Sequence, residues 1–412
     1  MTVLILFPGP LYPLTGQSQI RMLNQLKCLC ESYSVTFSDV VSREESCMLA
    51  SENLRSLDLK YNPIFTASYG KSIIHRAFQV YARKIRQLIK PQSQEALALS
   101  AKQIKKQVVD VIKSSDYDVC IIHYWYLGFL FQYLSANTLR MIDTHYMVEE
   151  HMELLANSDL QGWRLNKLMR ELSRSLLLQR KYFLKSDLVV VNSQKQARLI
   201  HEWDKRIPVS VVVNGQNLTQ YLCYRPQQEA ETAVCFYGAL SNQFNRKALI
   251  RILSSIFPKL KAVVPGILLY VIGSYPPKDI LDQYVDESIV VTGYVDDIRP
   301  WITKCKILLL PLETGSGFRG RVVEVMSLGV PIIGSSNALQ STGFMDGIHG
   351  YIEESDEGMV SKTVLLLKNP KIHSAFSENC KEHARSNFTL ESSFGKLISE
   401  INDISTANRV HR

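Results

Sequence analysis

Residues 311–335, PLETGSGFRGRVVEVMSLGVPIIGS, contain the residue types that hold a phosphorylated ligand. The segment reads as strand, Gly-rich turn, helix, Gly stop, Pro and strand. Gly315 and Gly317 let the backbone turn tightly and come close to a ligand. The amides that open the helix have no partners inside it and favour an anion. Arg319 and Arg321 add fixed positive charge suited to phosphate oxygens. Glu324, one turn further on, is spaced to accept hydrogen bonds from the vicinal hydroxyls of a ribose. An anion site beside a diol acceptor describes a nucleoside diphosphate pocket. Each part also has a plainer use: a Gly-rich strand–helix turn can be structural only, and Glu324 can pair with Arg321 three residues back.

The elements that must position these residues alternate along the chain. TVLILF, YSVTFSDVV, DYDVCIIHY, LRMIDTHY and SDLVVVNS are short apolar runs, most of them separated by helical patterns. After residue 215 the alternation restarts with ETAVCFYGAL, GILLYVIGS, IVVTGYV, KILLLPL and VPIIGSS. Strands alternating with helices predict a parallel sheet covered on both faces. The polar, aperiodic stretch 214–232 reads as a linker. The expected organisation is α/β, with two Rossmann-like doubly wound domains facing across a cleft. They cover 1–213 and 233–385, and the helical tail 386–412 is able to dock back on the first. Ligands of such sheets sit outside the carboxyl ends of strands, so residues just after strands are the candidates. In the first half these include Asp143 and His145 of MIDTHYMVEEH. Glu149 and Glu150 nearby read equally well as a paired base or as a solvated helix start.

The string GSGFRGRVVEV resembles the donor-binding signature of the GT-B-fold retaining glycosyltransferases of the glycogen-synthase-like family 4 (glycosyl transferases group 1). The common pattern there is E-x7-E. Its second Glu falls at Glu324, while the first position holds Ser316, as in a subgroup with G-S-G-x-R-x-K/R. The resemblance implies that Glu324 binds the donor ribose and that the backbone at Ser316, Gly317 and Phe318 meets the sugar hydroxyls. Arg319 and Arg321 would then meet the diphosphate. CFYGALSNQFNRKALIRIL resembles the family's pyrophosphate-binding loop, which places Gly238, Arg246 and Lys247 there, although the usual R-K-G ending is absent. VTGYVDDI resembles the base-binding loop, with Tyr294 and Val295 using their backbone. LFPGPLYPLTGQSQIRMLNQL resembles the first strand, loop and helix, with Gly16 in the loop. MIDTHY resembles the D-x-H segment whose His faces the transferred sugar, which makes Asp143 and His145 catalytic candidates. HARSNFTLESSFGKLISEI resembles the closing helix.

Composition narrows the function classes. The chain has 412 residues, 46% hydrophobic and 21% charged, which excludes disordered, collagenous and coiled-coil classes. Its eight cysteines form no C-x-x-C and no zinc-spaced cluster, so they read as free thiols in a reducing compartment. The opening MTVLILFPGPLYP lacks a basic n-region, and no apolar run reaches the length of a membrane span. The expected location is cytoplasmic. The net charge of +8 lies wholly in residues 1–213, which carry 27 Lys and Arg against 19 Asp and Glu, while 214–412 carry 20 of each. Residues 71–90, KSIIHRAFQVYARKIRQLIK, hold six basic residues and no acid at amphipathic spacing. They read as a peripheral contact for the anionic inner face of a membrane, or else as a core-facing helix with a basic outer side.

The activity expected on these grounds is transfer of a sugar from a nucleotide diphosphate sugar to an acceptor hydroxyl of a glycan or lipid-linked molecule, in polysaccharide or glycolipid assembly. The resemblance implies retention of configuration. No cofactor and no metal are expected, because the cations would neutralise the diphosphate. Two alternatives stand beside this reading: a sugar-nucleotide epimerase of similar fold, and a catalytically silent nucleotide-sugar-binding partner of another transferase. Nucleic acid is not an expected partner, since the basic stretch lacks interleaved stacking aromatics.

Overall fold

The computed structural model describes residues 1–14, 17–41, 44–65, 102–156, 161–274, 278–284, 286–313 and 318–410. The basic stretch 71–90, Gly16, and Gly315, Ser316 and Gly317 lie outside the described residues. The chain divides into two compact units. The first comprises Met1–Val213 with Ser393–Arg412, and the second comprises Asn214–Ser392. No described helix is long and apolar enough to cross a membrane.

The first unit is built on an eight-stranded sheet. Its strands are β1 (Thr2–Phe7), β2 (Ser34–Val41), β3 (Leu59–Tyr61), β4 (Ile64–Phe65), β5 (Val119–His123), β6 (Leu139–Asp143), β7 (Leu188–Val191) and β8 (Val209–Val211). Their order is β3-β2-β1-β5-β6-β7-β8, with β4 on the end of β2, and every pairing is parallel. The second unit carries β9 (Ala233–Tyr237), β10 (Leu268–Ile272), β11 (Ile289–Gly293), β12 (Ile307–Leu310), β13 (Ile332–Gly334) and β14 (Gly350–Ile352). Here the order is β11-β10-β9-β12-β13-β14, again wholly parallel. Counted within its unit, the second sheet runs 3-2-1-4-5-6, and the first runs 3-2-1-5-6-7-8 with its fourth strand on the second. The order reverses between β1 and β5 in one and between β9 and β12 in the other, and that reversal opens a crevice at the carboxyl edge.

The central strands are apolar up to their carboxyl ends because helices cover both faces. Val119–His123, Leu188–Val191 and Ile307–Leu310 are buried at every position. Each Leu, Ile or Val so removed from water contributes about 1.5–3 kcal/mol.

Parallel strands leave the last carbonyls of the outer chain to be satisfied by something else. In the first unit Arg21, on the Gln17–Cys30 helix, does this while fully buried. Its Nη1 donates to the carbonyls of Val212 at 2.9 Å and Val213 at 3.1 Å. Its Nε and Nη2 face both Asp143 oxygens at 3.1–3.3 Å. Gln25 Nε2 donates to the same carboxylate at 3.2 Å. The guanidinium also lies 5.7 Å from the ring centre of Phe394, on the returning Leu390–Val410 helix. Ser393 Oγ donates to the Val213 carbonyl as well. The segments where the chain leaves and re-enters this unit are therefore tied to one buried cation.

The tail, read from sequence as one closing helix, is two. The Pro370–Phe388 helix stops at Thr389, whose ψ of 162° is extended, and Leu390–Val410 begins anew. Thr389 Oγ1 accepts from the Ser392 amide at 3.1 Å and so caps the new start.

Breaking one side of a buried ion pair leaves the other charge stranded, at about 3–5 kcal/mol. Arg21→Met is expected to lower the stability of the first unit by that amount in urea unfolding. Arg21→Met combined with Asp143→Leu should recover part of it, because no lone charge then stays buried.

Candidate functional site

In the second unit the site forms where β9 and β12 part. The Gly320–Ser327 helix starts after β12 with Arg319 at its N-cap position. Glu324, one turn in, accepts a hydrogen bond from Tyr237 Oη at 3.2 Å; Tyr237 is the last residue of β9. Burial raises the Glu324 carboxyl first, the Tyr237 hydrogen bond and Arg321 pull it back, and the result stays above the ordinary glutamate value. Tyr221, on the short Thr219–Leu222 helix, is near enough to feel that carboxylate. Burial and then Glu324 push its phenol up to about 12. The carboxylate thus holds one protonated phenol by a hydrogen bond and acts on a second through its field.

Arg321 departs from its expected role. Its Nη1 donates to the Tyr237 carbonyl and its Nη2 to Asn245 Oδ1, both at 2.8 Å. It braces the end of β9 rather than presenting a guanidinium outward. Burial, with Arg319 as a second cation nearby, lowers it to about 10, so it stays charged at neutral pH. Gly238 lies directly against it: a Cβ there would clash with Nη1. Gly273, after β10, packs in turn on the Gly238 carbonyl with φ +154°, where a Cβ would also clash. Gly238, Gly273 and Arg321 form one interlocked turn at the carboxyl edge. Arg319 Nε donates to the Asn337 carbonyl at 3.2 Å, and burial lowers its pKa. Phe318 packs 5.7 Å from Phe388.

The other expected donor residues lie further out. Arg246 and Lys247 are on the Gln243–Arg251 helix, half-buried and exposed respectively. That helix has its first amides taken by Asn242 Oδ1. Tyr294 is 75% exposed on the turn after the edge strand β11, and Val295 is half-buried beside it. Arg319, Arg321 and Glu324 come together at the crevice with Tyr237 and Tyr221. The two tyrosines went unnoticed in the sequence. Tyr237 was legible as the last residue of an apolar strand, while Tyr221 lies in a stretch with no periodic pattern.

In the first unit the corresponding strand ends bring histidines together. His123, the last residue of β5, is fully buried, and its Nδ1 lies 2.9 Å from His145 Nε2. Burial lowers His123 to about 4 despite Asp143, so it is neutral at pH 7. Asp143 does not reach an open surface. Burial alone would raise it, but Arg21, His123 and His145 together hold it below its ordinary value. It anchors the strand end and is not placed to touch a substrate. His123, Asp143 and His145 also converge closely enough to suit a metal ion. A cation there would have to displace Arg21 from both carboxylate oxygens, so the donor set fits one poorly.

His145 is half-buried under Tyr124, whose ring stacks on it with centres 4.5 Å apart. Tyr124 has φ 72° and ψ 131°, a conformation strained for any residue with a Cβ. The HYWY run after the β5 strand was the available signal for His123 and Tyr124. Glu149 and Glu150 prove to be helix-start residues. Glu150 accepts from the Met147 amide at 3.0 Å in a capping arrangement and from Gln196, and Glu149 accepts from Gln179.

Residues 231–369 match the family model described as glycosyl transferases group 1. No curated protein matches the sequence. Among solved structures, sucrose-phosphate synthase from Thermosynechococcus elongatus is similar, with a TM-score of 0.63 at 14% identity over 99% of this chain and 100% of that one. Anabaena HepE in complex with UDP gives 0.63 at 12% over 98% and 100%. TarM gives 0.63 at 12% over 98% and 99%. The fold is that of the GT-B glycosyltransferases, and residues 231–369 carry the similarity to glycosyl transferases group 1.

Proposed function

We propose that the protein is a glycosyltransferase and takes its sugar from a nucleoside diphosphate sugar bound at the carboxyl edge of β9 and β12. The observation that carries the reading is Glu324. It is a half-buried carboxylate one turn into the helix that follows the crevice, with Tyr237 on one oxygen, Arg319 at the helix N-cap and Arg321 in its first turn. A carboxylate held this way accepts from two adjacent ribose hydroxyls. The diphosphate then meets the opening amides of the helix and Arg319, with Arg321 keeping the β9 turn in place. Arg246 and Lys247 are proposed as further cations for the same phosphates. The mutual repulsion of Arg319 and Arg321 is relieved when an anion arrives.

In the proposed reaction the bond between the anomeric carbon and the diphosphate oxygen breaks, and its electron pair leaves on the diphosphate. The acceptor hydroxyl oxygen bonds to the same carbon and its proton passes to the departing diphosphate. Stabilising that departing charge is the main catalytic task, and fixed cations and amides perform it without reorganising. Retention of configuration and independence from metal are part of the proposal. His145 is the candidate of the first unit for contact with the sugar, its ring held by His123 and Tyr124. HepE has been solved with UDP-glucose, and TarM with UDP and a GlcNAc-glycerol, which makes uridine diphosphate the first base to try.

The test is calorimetric titration with UDP, GDP, ADP and dTDP sugars in the absence of metal. One base is expected to bind, and Glu324→Gln should weaken it about 10- to 100-fold, the range for hydrogen bonds to a charged group. Binding of no donor would remove the assignment. Binding without turnover in the presence of acceptors would make the chain a silent partner.

The pH dependence has a fixed sign. Glu324 must be ionised to accept two hydroxyls, and its pKa lies above the ordinary 4.5. Donor affinity should therefore fall as the solution is acidified, and the fall should begin at a higher pH than a free glutamate would give. Glu324→Gln should flatten that limb.

Gly273→Ala sets a methyl against the Gly238 carbonyl, which cannot yield as a side chain would. Overpacking of this kind costs about 1–3 kcal/mol. It should lower the melting temperature of the second unit and weaken donor binding together, because the Gly238 turn moves with Arg321.

A further inference from the structure

The Gly162–Phe183 helix has 22 residues and buries only Gln179 and Phe183. These two hold it down, together with Leu172, Leu176 and Tyr182, which pack partly buried against the core. Gln179 accepts from the Val148 amide at 3.0 Å, and the Phe183 ring stacks 6.1 Å from Trp203. The opposite face is unlike an ordinary solvated helix surface. Trp163 is 69% exposed, Leu177 68% and Leu178 45%, and Leu184 just past the end is 57% exposed. Lys167, Arg170, Arg174 and Lys181 are exposed among them.

At about 100° per residue, Trp163, the two leucines and these four cations all fall within one arc of about 100°. The face runs about 27 Å from Trp163 to Lys181. Glu171 is the one acid in the helix, and it lies just outside the arc. Trp163 anchors one end and Leu177 and Leu178 the other, with cations along the whole length.

We propose that this face lies flat on a bilayer containing anionic lipid. Its aromatic and leucine side chains enter the headgroup boundary and its lysines and arginines pair with lipid phosphates. The pattern fits that occupant better than a protein. Lysine is depleted from protein interfaces, whereas Trp at one level with Lys and Arg is the composition of an interfacial helix. A second copy of the chain would bring four cations against four. The first unit also carries the entire net positive charge of the protein, which favours approach to a negative surface. The proposal concerns described residues only and is independent of the donor site.

The test is flotation of the full chain with phosphatidylcholine vesicles, with and without phosphatidylglycerol. The protein should float only with the anionic vesicles and be released by added salt. Two variants separate the contributions: Trp163→Ala with Leu177→Ser and Leu178→Ser, and Arg170→Glu with Arg174→Glu. All five positions are exposed, so both variants should melt as the parent does, and each should lose at least tenfold in vesicle affinity.

Three results would overturn the proposal. The parent could fail to float with anionic vesicles, including the case in which it binds a single-stranded oligonucleotide instead. Both variants could float as the parent does, which moves the contact to another surface. The parent could sediment as a dimer that either variant dissociates, which makes the face a contact between copies.

Discussion

Each half of this protein is organised by an arginine that gives up solvent to satisfy the carboxyl edge of a parallel sheet. Buried backbone carbonyls must be paired, and a chain that leaves a parallel sheet at its edge has no neighbouring strand to pair them. Arg21 meets this need at Val212 and Val213, and Arg321 meets it at Tyr237. Both sit on a helix that follows a strand of the reversal point. Both then need a counterweight for a charge removed from water. Arg21 has the full carboxylate of Asp143, whereas Arg321, among the described residues, has the Tyr237 carbonyl, the amide oxygen of Asn245 and the field of Glu324 and Tyr237. The first arrangement closes on a carboxylate that pairs with it directly, and the second rests on neutral acceptors with Glu324 near by.

That difference sorts the carboxylates into roles. Asp143 accepts from Arg21 through both oxygens and from Gln25, so its lone pairs are filled and its pKa is depressed. Among the described residues, Glu324 accepts its hydrogen bond from a phenol, and its pKa is raised. A residue of the first kind fixes a strand end. A residue of the second kind has acceptor capacity to offer and gains from a donor-rich ligand such as a diol. The same distinction moves Asp143 out of the catalytic group in which its D-x-H spacing had set it, and leaves His145 as the reactive candidate.

The long apolar strands and their alternation with helices were readable in sequence, because a strand covered on both faces is apolar at every position. β7 and β12 follow that rule throughout, and β5 and β9 follow it up to their last residues, His123 and Tyr237. β3, β4, β8 and β14 were not readable. They have two or three residues each, too few for any period to show. The Gly-rich turn and Glu324 were visible because the chemistry demands those residue types at that spacing. The bracing role of Arg321 was invisible, since it depends on β9, more than 80 residues earlier, ending beside this helix. His123 was hidden for the same reason: its partner is set by strand pairing, His123 with Asp143, and not by local pattern.

Strain marks where the first unit departs from the plain requirements of its fold. Among the described residues, Tyr124 is the non-glycine residue with positive φ, at a cost of about 1–3 kcal/mol. It directly follows β5 at the reversal point of its sheet. Its amide donates to the Asp143 carbonyl at 2.9 Å, and its ring contacts Phe7, Tyr126, His145 and Tyr146. A glycine would relieve the backbone but would remove the ring that stacks on His145. The conformation is held by the ring's several contacts together with the amide's hydrogen bond. The residue it orients lies at the carboxyl edge, where a sheet of this order binds its ligands. The backbone geometry of β5 and the orientation of His145 are therefore one feature, set by a tyrosine in a position where the backbone alone would favour glycine.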